Sequence, residues 1–530
     1  MRAMSARTPR RAATPRAAGA GPGRAAGPRA PLPARPGAPK PAPIRATTPE
    51  EAATDTKATP VESRFDWRAC WYPVAYAADV ASTPLRVELF DEPFAVARTP
   101  AGGWLAFADA CPHRGAALSE GRVTACGKLM CPYHGYTFSA TGACVAAPYA
   151  PRAVGSPRAA ASAVPVVEAQ GIVWLAPAPG GPPPLLSALP LLPELELPGW
   201  VASDFVRDAP GVDAGALLAN VADPDHGLFA HQTSNFDTFT ASPDAPMTVR
   251  TDAATGAVAG ETASRGTLLP TTTPSRGPSI ARLRYLPPIH TRWSTHGGAK
   301  GEEDASFVAA FYVSPLAVGR SRLFVRYARS IAPWLPVPRW LLAMGLNGFV
   351  DQDTFLLATQ SATALAREAE ALACGSPPPR SPCPKSPTEA FLAAVEAWWV
   401  PKVGSQPGRA VRLARGAPLL PPRAVVLDRY ATHTAIVPSS AAAWGVARRV
   451  DAAATAAAAA AAALLLGAAG SGAPPDRLAP WLVAPVAAAV VAAGARGVAA
   501  RFEYRYDRSR QAADLARLAT LQPGVEAAEE

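Results

Sequence analysis

Cysteine is scarce in this chain: seven among 530 residues. A disulfide framework is therefore excluded, and a thiol-reducing compartment suits the composition. Acidic residues are missing from the first 49 positions, where nine Arg and one Lys stand against nothing until Glu50. That segment carries nearly all of the net charge of +10. The remainder is close to neutral, so a nucleic-acid partner is not expected. The segment also lacks an apolar run, which excludes a secretory signal. Its Arg-, Ala- and Pro-rich composition, with Ser and Thr, is that of an organelle transit peptide or of a disordered basic tail. Residues 1–60 are set apart on that ground. No internal repeat occurs, and histidine is rare as well, with seven in all.

Ordered structure is expected from the aromatic cluster Phe65, Trp67, Trp71 and Tyr72. Residues 85–107 alternate apolar and polar side chains around a Gly102-Gly103 turn, the pattern of short strands and a hairpin. Strand-like pieces continue over 164–175, and residues 177–184 form a Pro/Gly-rich joint. Residues 185–440 mix helical and strand patterns, interrupted by a Pro/Ser-rich surface loop at 375–387. Near the end, residues 452–472 and 478–495 carry no charge, and Arg448, Arg449, Arg496 and Arg501 flank them. Two such stretches joined by a short polar turn read as a transmembrane hairpin. Alanine dominates the first stretch, and alanine is a better helix former than lipid solvent, so an Ala-rich tail is the alternative.

Two tight loops carry the first chemical motif. Cys111-Pro112-His113-Arg114-Gly115 is followed by Cys131-Pro132-Tyr133-His134-Gly135, with 17 residues between His113 and Cys131. Cys111 and Cys131 offer thiolates to one iron, while His113 and His134 offer imidazoles to another, the donor set of a high-potential [2Fe–2S] cluster. The Gly and Pro residues bend each loop so that its amides reach the bridging sulfurs. A structural Cys₂His₂ zinc site uses the same donors but does not require the paired Cys-Pro starts and His-flanking glycines.

The stretches CPHRGAALSEGRV and CPYHGYTFSATGAC closely resemble the Rieske domain of ring-hydroxylating oxygenases. Respiratory and photosynthetic Rieske proteins carry two further cysteines in these loops; here Ala116 and Tyr133 occupy those places. Cys126 and Cys144 read as ordinary thiols. The segment NVADPDHGLFAH (220–231) looks like the mononuclear iron motif of the same family. The resemblance makes His226 and His231 iron ligands, with a bend between them, at Gly227, because a five-residue step overshoots one helical face. A facial set of two His and one carboxylate leaves positions open for O₂ and substrate. Asp351-Gln352-Asp353 resembles the family's acidic helix. Asp353 is expected to be the third ligand, on an apolar face with Phe349, Val350, Leu356 and Leu357. Asp351, about 200° around the helix, is expected in solvent. By the same resemblance Asp223 relays electrons between subunits and orients a ligand, although a turn role before Pro224 is the plain alternative. Asn220 is expected to support the ligands from behind. Trp293, His290 and His433 are read as core residues.

The tail LDRYATHT (427–434) and the two apolar stretches resemble the plastid pheophorbide a oxygenase-like group of Rieske non-haem iron oxygenases. Members typically carry Cys-x-x-Cys after the His-Thr pair; here Val437-Pro438-Ser439-Ser440 stands in its place. The resemblance implies an α+β chain. An all-β Rieske [2Fe–2S] domain (61–182) precedes a helix-grip type α/β catalytic domain (183–445). A C-terminal helical membrane hairpin (446–505) and a tail (506–530) follow. It also implies a mononuclear non-haem Fe(II), ferredoxin as electron donor, O₂, and a hydrophobic small-molecule substrate, a chlorophyll-derived tetrapyrrole or bilin. A homotrimer, a plastid membrane location (inner envelope or thylakoid) and oxidoreductase activity complete the expectation. A redox component of an envelope translocon without turnover is the alternative.

Overall fold

The computed structural model describes residues 65–504, apart from 224–225, 227–229, 232–246, 265–278, 298–304, 331, 377–388, 419, 473 and 475–478. The segment 1–60, read as a transit peptide or a basic tail, and most of the 375–387 loop lie outside the described residues.

Ten short strands build the first half. They are β1 (Tyr72–Tyr76), β2 (Leu85–Leu89), β3 (Glu92–Arg98), β4 (Trp104–Ala108), β5 (Arg122–Val123), β6 (Leu129–Met130), β7 (Thr137–Phe138), β8 (Cys144–Ala146), β9 (Val166–Ala169) and β10 (Ile172–Leu175). They form three antiparallel sheets, ordered β1-β10-β9, β2-β3-β4 and β5-β6-β7-β8. The last of these holds the two Cys/His loops between its strands and β4, around a small core of Phe107, Leu118, Leu129 and Phe138.

The second half is one seven-stranded antiparallel sheet. Its strands are β11 (Val201–Pro210), β12 (Thr248–Thr251), β13 (Val258–Ser264), β14 (Ser279–Leu286), β15 (His290–Gly297), β16 (Ala305–Ala317) and β17 (Arg320–Arg329), ordered β11-β17-β16-β15-β14-β13-β12. Both faces of its centre are covered, which is why β16 reads as a nearly continuous apolar run. On one face Tyr76 reaches in from β1 and donates from its hydroxyl to Val325 O (2.8 Å) and Phe205 O (3.2 Å). On the other face Leu323, Val325, Phe205 and Phe311 wall a cavity. Arg326, 2% exposed, turns toward the first face, where Asp204 clasps it through two hydrogen bonds (2.7 and 2.9 Å) and Tyr76 stacks beneath it.

Helices complete the cavity. α1 (Ala214–Ala222) is capped by Asp213, whose carboxylate accepts from Gly215 N (3.2 Å). α2 (Arg339–Ala373) runs for 35 residues, roughly 52 Å. Its buried residues Ala343, Leu346, Asp353, Leu357, Ser361 and Leu365 recur at steps of three, four and seven, a stripe facing the sheet. α3 (Ala390–Val403) packs on α1 through Trp399 and Val395.

At the C-terminus α4 (Pro438–Gly470) and α5 (Val483–Glu503) form an antiparallel pair, since Trp444 meets Glu503 and Asp451 meets Arg496 (2.9 Å). Their apolar windows have mean hydropathies of 1.9 and 1.7 and are almost uncovered by the rest of the chain. Helix α4 starts at Pro438, eight residues before the hairpin boundary expected at 446.

His433 lies in a wide helical turn (Tyr430–Thr434), buried and stacked on Phe205 at 5.0 Å. Its Nδ1–H donates to Val206 O (2.6 Å), so Nε2 accepts from Ser440 Oγ (3.0 Å). Burial lowers this imidazole from 6.5 to about 4, with Arg207, Arg339 and Arg429 adding to the effect against the Val206 hydrogen bond. A histidine depressed on folding favours unfolding when it protonates. Its contribution is therefore full above pH 6.5 and lost as pH falls toward 4, by up to about 1.4 kcal/mol per pH unit. Urea unfolding at pH 7 and pH 5 is expected to show that slope, and His433→Gln is expected to flatten it.

Candidate metal centres

Each Cys/His loop closes on itself in the same way. Cys111 N donates to Ala116 O (2.8 Å) and Gly115 N to Cys111 O (2.8 Å); Cys131 N donates to Tyr136 O (2.8 Å) and Gly135 N to Cys131 O (3.2 Å). Gly115 and Gly135 sit at φ +70° and +73°, a region that side chains avoid, and a Cβ on Gly135 would press on Pro148. The matched loops bury both sulfurs, Cys111 at 3% and Cys131 at 2%, and bring the rings of His113 and His134 to 4.7 Å. His113 is exposed and stacks on Tyr136 at 4.8 Å, a partner that the spacing did not reveal. Two buried thiols beneath two outward imidazoles fit a cluster with one thiolate-held and one imidazole-held iron. Cys126 and Cys144 are free thiols.

The second centre forms where the end of α1 meets α2. Ala230 N donates to His226 O (2.8 Å), and His231 follows immediately. The bend expected at Gly227 lies outside the described residues. His226 Nδ1 meets Asp223 O at 2.7 Å. A carbonyl can only accept, so Nδ1 carries the proton and Nε2 is left free as a donor to metal. His231, 2% exposed, lies flat on Phe349 with ring centroids 3.6 Å apart, which fixes its ring plane. The three free atoms converge: His231 Nε2 lies 3.1 Å and His226 Nε2 3.9 Å from Asp353 Oδ2, and the two nitrogens are 3.3 Å apart. Donors at right angles around a metal about 2.1 Å away lie about 3 Å apart, so the triangle fits one octahedral face. The donor set of two imidazoles and one carboxylate suits Fe(II).

A cavity of about 1040 Å³, counting its open mouth, stands over this triangle. Its walls are Phe205, Phe311, Leu323 and Val325 from the sheet, Leu217 and Val221 from α1, and Leu346, Val350 and Leu357 from α2. Asn220 and Asp223 line it, and the Asn220 carbonyl accepts from Asp223 N (3.1 Å). Trp293 also lines the cavity, with its indole N–H on Val221 O (2.9 Å), so it is more than the core residue expected. His290 and His433 are core residues.

Two expectations about α2 need correction. Leu356 does not share the face of Asp353: it is 53% exposed, because the buried stripe runs through Leu357. Asp351 is not in solvent either. Its side chain is 10% exposed and held by Arg207 and Arg429. Neither arginine is near it in sequence, which is why helical spacing alone placed it wrongly.

A [2Fe–2S] loop pair on one β-domain and an open two-His, one-Asp face under a large cavity define a Rieske-type non-haem iron oxygenase. Residues 70–167 match the Rieske [2Fe-2S] domain and residues 285–370 match Pheophorbide a oxygenase. The chain is 30% identical over 412 residues to the chloroplastic pheophorbide a oxygenase of Oryza sativa subsp. japonica, covering 72% of this chain and 74% of that protein. It therefore belongs to the pheophorbide a oxygenase family. It is also 28% identical over 304 residues to the chloroplastic protein TIC 55 of Pisum sativum, covering 56% of this chain and 52% of that one. Dicamba monooxygenase bound to dicamba shares the fold, with a TM-score of 0.52 at 21% identity, covering 63% of this chain and 97% of that one. The protein is an oxidoreductase with a [2Fe–2S] cluster and a mononuclear iron.

Proposed function

We propose that the protein oxygenates a large apolar pigment, a chlorophyll-derived tetrapyrrole such as pheophorbide a or a linear bilin. The observation that carries this is the apolar lining of the cavity over His226, His231 and Asp353. Similarity to a pheophorbide a oxygenase over nearly three quarters of its length supports the substrate class. When bound, the cluster would supply single electrons and the mononuclear iron would activate O₂. Cys111, His113, Cys131 and His134 would hold the cluster, and His226, His231 and Asp353 would hold the iron beside the cavity. The apolar walls exclude water from the reacting atoms, and the Asp223 carbonyl keeps the His226 proton on Nδ1. The Asp223 carboxylate is the electron relay, and Asn220 supports the ligand segment from the cavity wall.

The same proposal takes ferredoxin as donor, with the exposed His113 edge meeting the Asp223 region of a neighbouring copy in a homotrimer. It places the protein in a plastid after loss of residues 1–60, with α4 and α5 as a membrane hairpin. Exposed Leu464, Leu466, Trp481, Leu482, Val483 and Val490 on that hairpin, against a base carrying Arg448, Arg449 and Arg496, suit a bilayer. Domain limits of 61–182, 183–445 and 446–505 belong to this reading. TIC 55 proteins among the relatives favour a second one, a redox component of a translocon. An intact iron triangle facing a cavity is more than a carrier needs.

The test is a single turnover of iron-loaded protein reduced by ferredoxin under ¹⁸O₂, offered pheophorbide a, chlorophyllide a, a phyllobilin and a flavone. Label in a pigment supports the proposal. Label in the flavone alone moves the substrate class, and a reduced cluster with no labelled product favours the translocon reading.

A further inference from the structure

Asp351 stands two residues before Asp353, about 200° around α2, and so points away from the iron triangle. Its carboxylate lies 2.5 Å from Arg207 Nη2, an off-axis ion pair, and accepts from Arg429 Nε (2.9 Å) and Nη2 (2.5 Å). All three side chains are at most 10% exposed. Arg207 belongs to β11 and also donates to Asn347 O and Oδ1 (3.2 Å each), one turn earlier on α2. It thus grips α2 at two successive turns. Arg429 reaches the other way. Its Nη1 donates to Arg501 O (2.7 Å), its backbone N donates to Tyr504 O (3.1 Å), and its guanidinium lies over the Tyr504 ring at 4.7 Å. Thr434 Oγ1 adds a bond to Phe502 O (2.8 Å) in the same place. One carboxylate therefore joins the sheet, the ligand helix and the end of α5.

The rotation of α2 decides where the Asp353 carboxylate lies. A carboxylate roughly 6 Å off the helix axis moves about 1 Å for each 10° of rotation, enough to spoil a metal site. A hydrophobic stripe resists such rotation weakly, because neighbouring apolar side chains substitute for one another. A fixed charge between two guanidinium forks does not slide.

We propose that Asp351 is a positioning residue for the iron ligand Asp353, and that through Arg429 the affinity of the iron site depends on how the end of α5 is seated. This rests on the reading of His226, His231 and Asp353 as the iron site.

The test measures Fe(II) affinity of the full-length protein by competition with a chromogenic chelator. The cluster's visible absorption serves as an internal check of the fold, and Asp353→Ala marks the affinity of a broken site. Asp351→Asn and Arg429→Gln are each expected to weaken Fe(II) binding by about 10- to 100-fold with the cluster spectrum unchanged. Arg429→Lys, which keeps the charge without the fork, is expected to fall between them and the parent protein. If Asp351→Asn fails to accumulate, Arg429→Gln decides, since it leaves the Arg207–Asp351 pair neutral. Parent-like affinity in Arg429→Gln alongside a lowered melting temperature would make the contacts of Asp351 with Arg207 and Arg429 merely structural and overturn the proposal. If the parent protein binds Fe(II) no better than Asp353→Ala, the site reading itself fails, and this inference falls with it.

Discussion

Asp353→Ala is expected to abolish oxygen insertion while the cluster still takes up an electron from its donor. The change removes the carboxylate of the triangle, and the described residues group no other carboxylate with His226 and His231. Groups behind a metal ligand cost about 10- to 100-fold when lost, so loss of the ligand itself is expected to exceed roughly 100-fold in turnover. The protein should survive the substitution, because a carboxylate on an otherwise apolar stripe costs free energy unless it is paired or metal-bound. Iron content, cluster absorption and ¹⁸O incorporation, measured on one preparation, check the expectation. Parent-like iron content in Asp353→Ala would send the search for the third ligand elsewhere.

The second large effect is expected at Asp223. His226 Nδ1 is held by the main-chain carbonyl of Asp223. Asp223→Asn therefore keeps the Nδ1 hydrogen bond and removes only the carboxylate charge. If that carboxylate is the electron relay, the cluster should be reduced at the parent rate and iron should bind normally. Steady turnover should nonetheless fall by two orders of magnitude or more, on the order of what loss of a catalytic proton or charge carrier costs. Stopped-flow reduction of the cluster, compared with its re-oxidation in the presence of O₂ and substrate, separates the two steps. Parent-like re-oxidation in Asp223→Asn would reduce Asp223 to a turn residue at the end of α1.

How much of this was legible in the chain follows from where the chemistry sits. The cluster loops are local: donors, bends and closing hydrogen bonds all fall within six residues of each other, from Cys111 to Ala116 and from Cys131 to Tyr136. The His226 and His231 pair is local too, only five residues apart. The burial of Asp353 was legible from the apolar residues that share its helical face. The apolar lengths of α4 and α5 were visible as charge-free runs.

Other features are contacts between segments far apart in the chain. Phe349 lies on His231 across 118 positions, and Arg207 and Arg429 reach Asp351 from 144 positions before and 78 after. Trp293 faces the cavity because β15 lies two strands from β17 in the sheet, an order that its own alternation does not contain. Periodicity reports which side of an element is buried, not what lies against it. The sequence by itself determined the donor types, their local geometry and the protein's class. Only the tertiary structure decided which side chains lock those donors in place, because that depends on strand order and on the rotation of one long helix against a sheet.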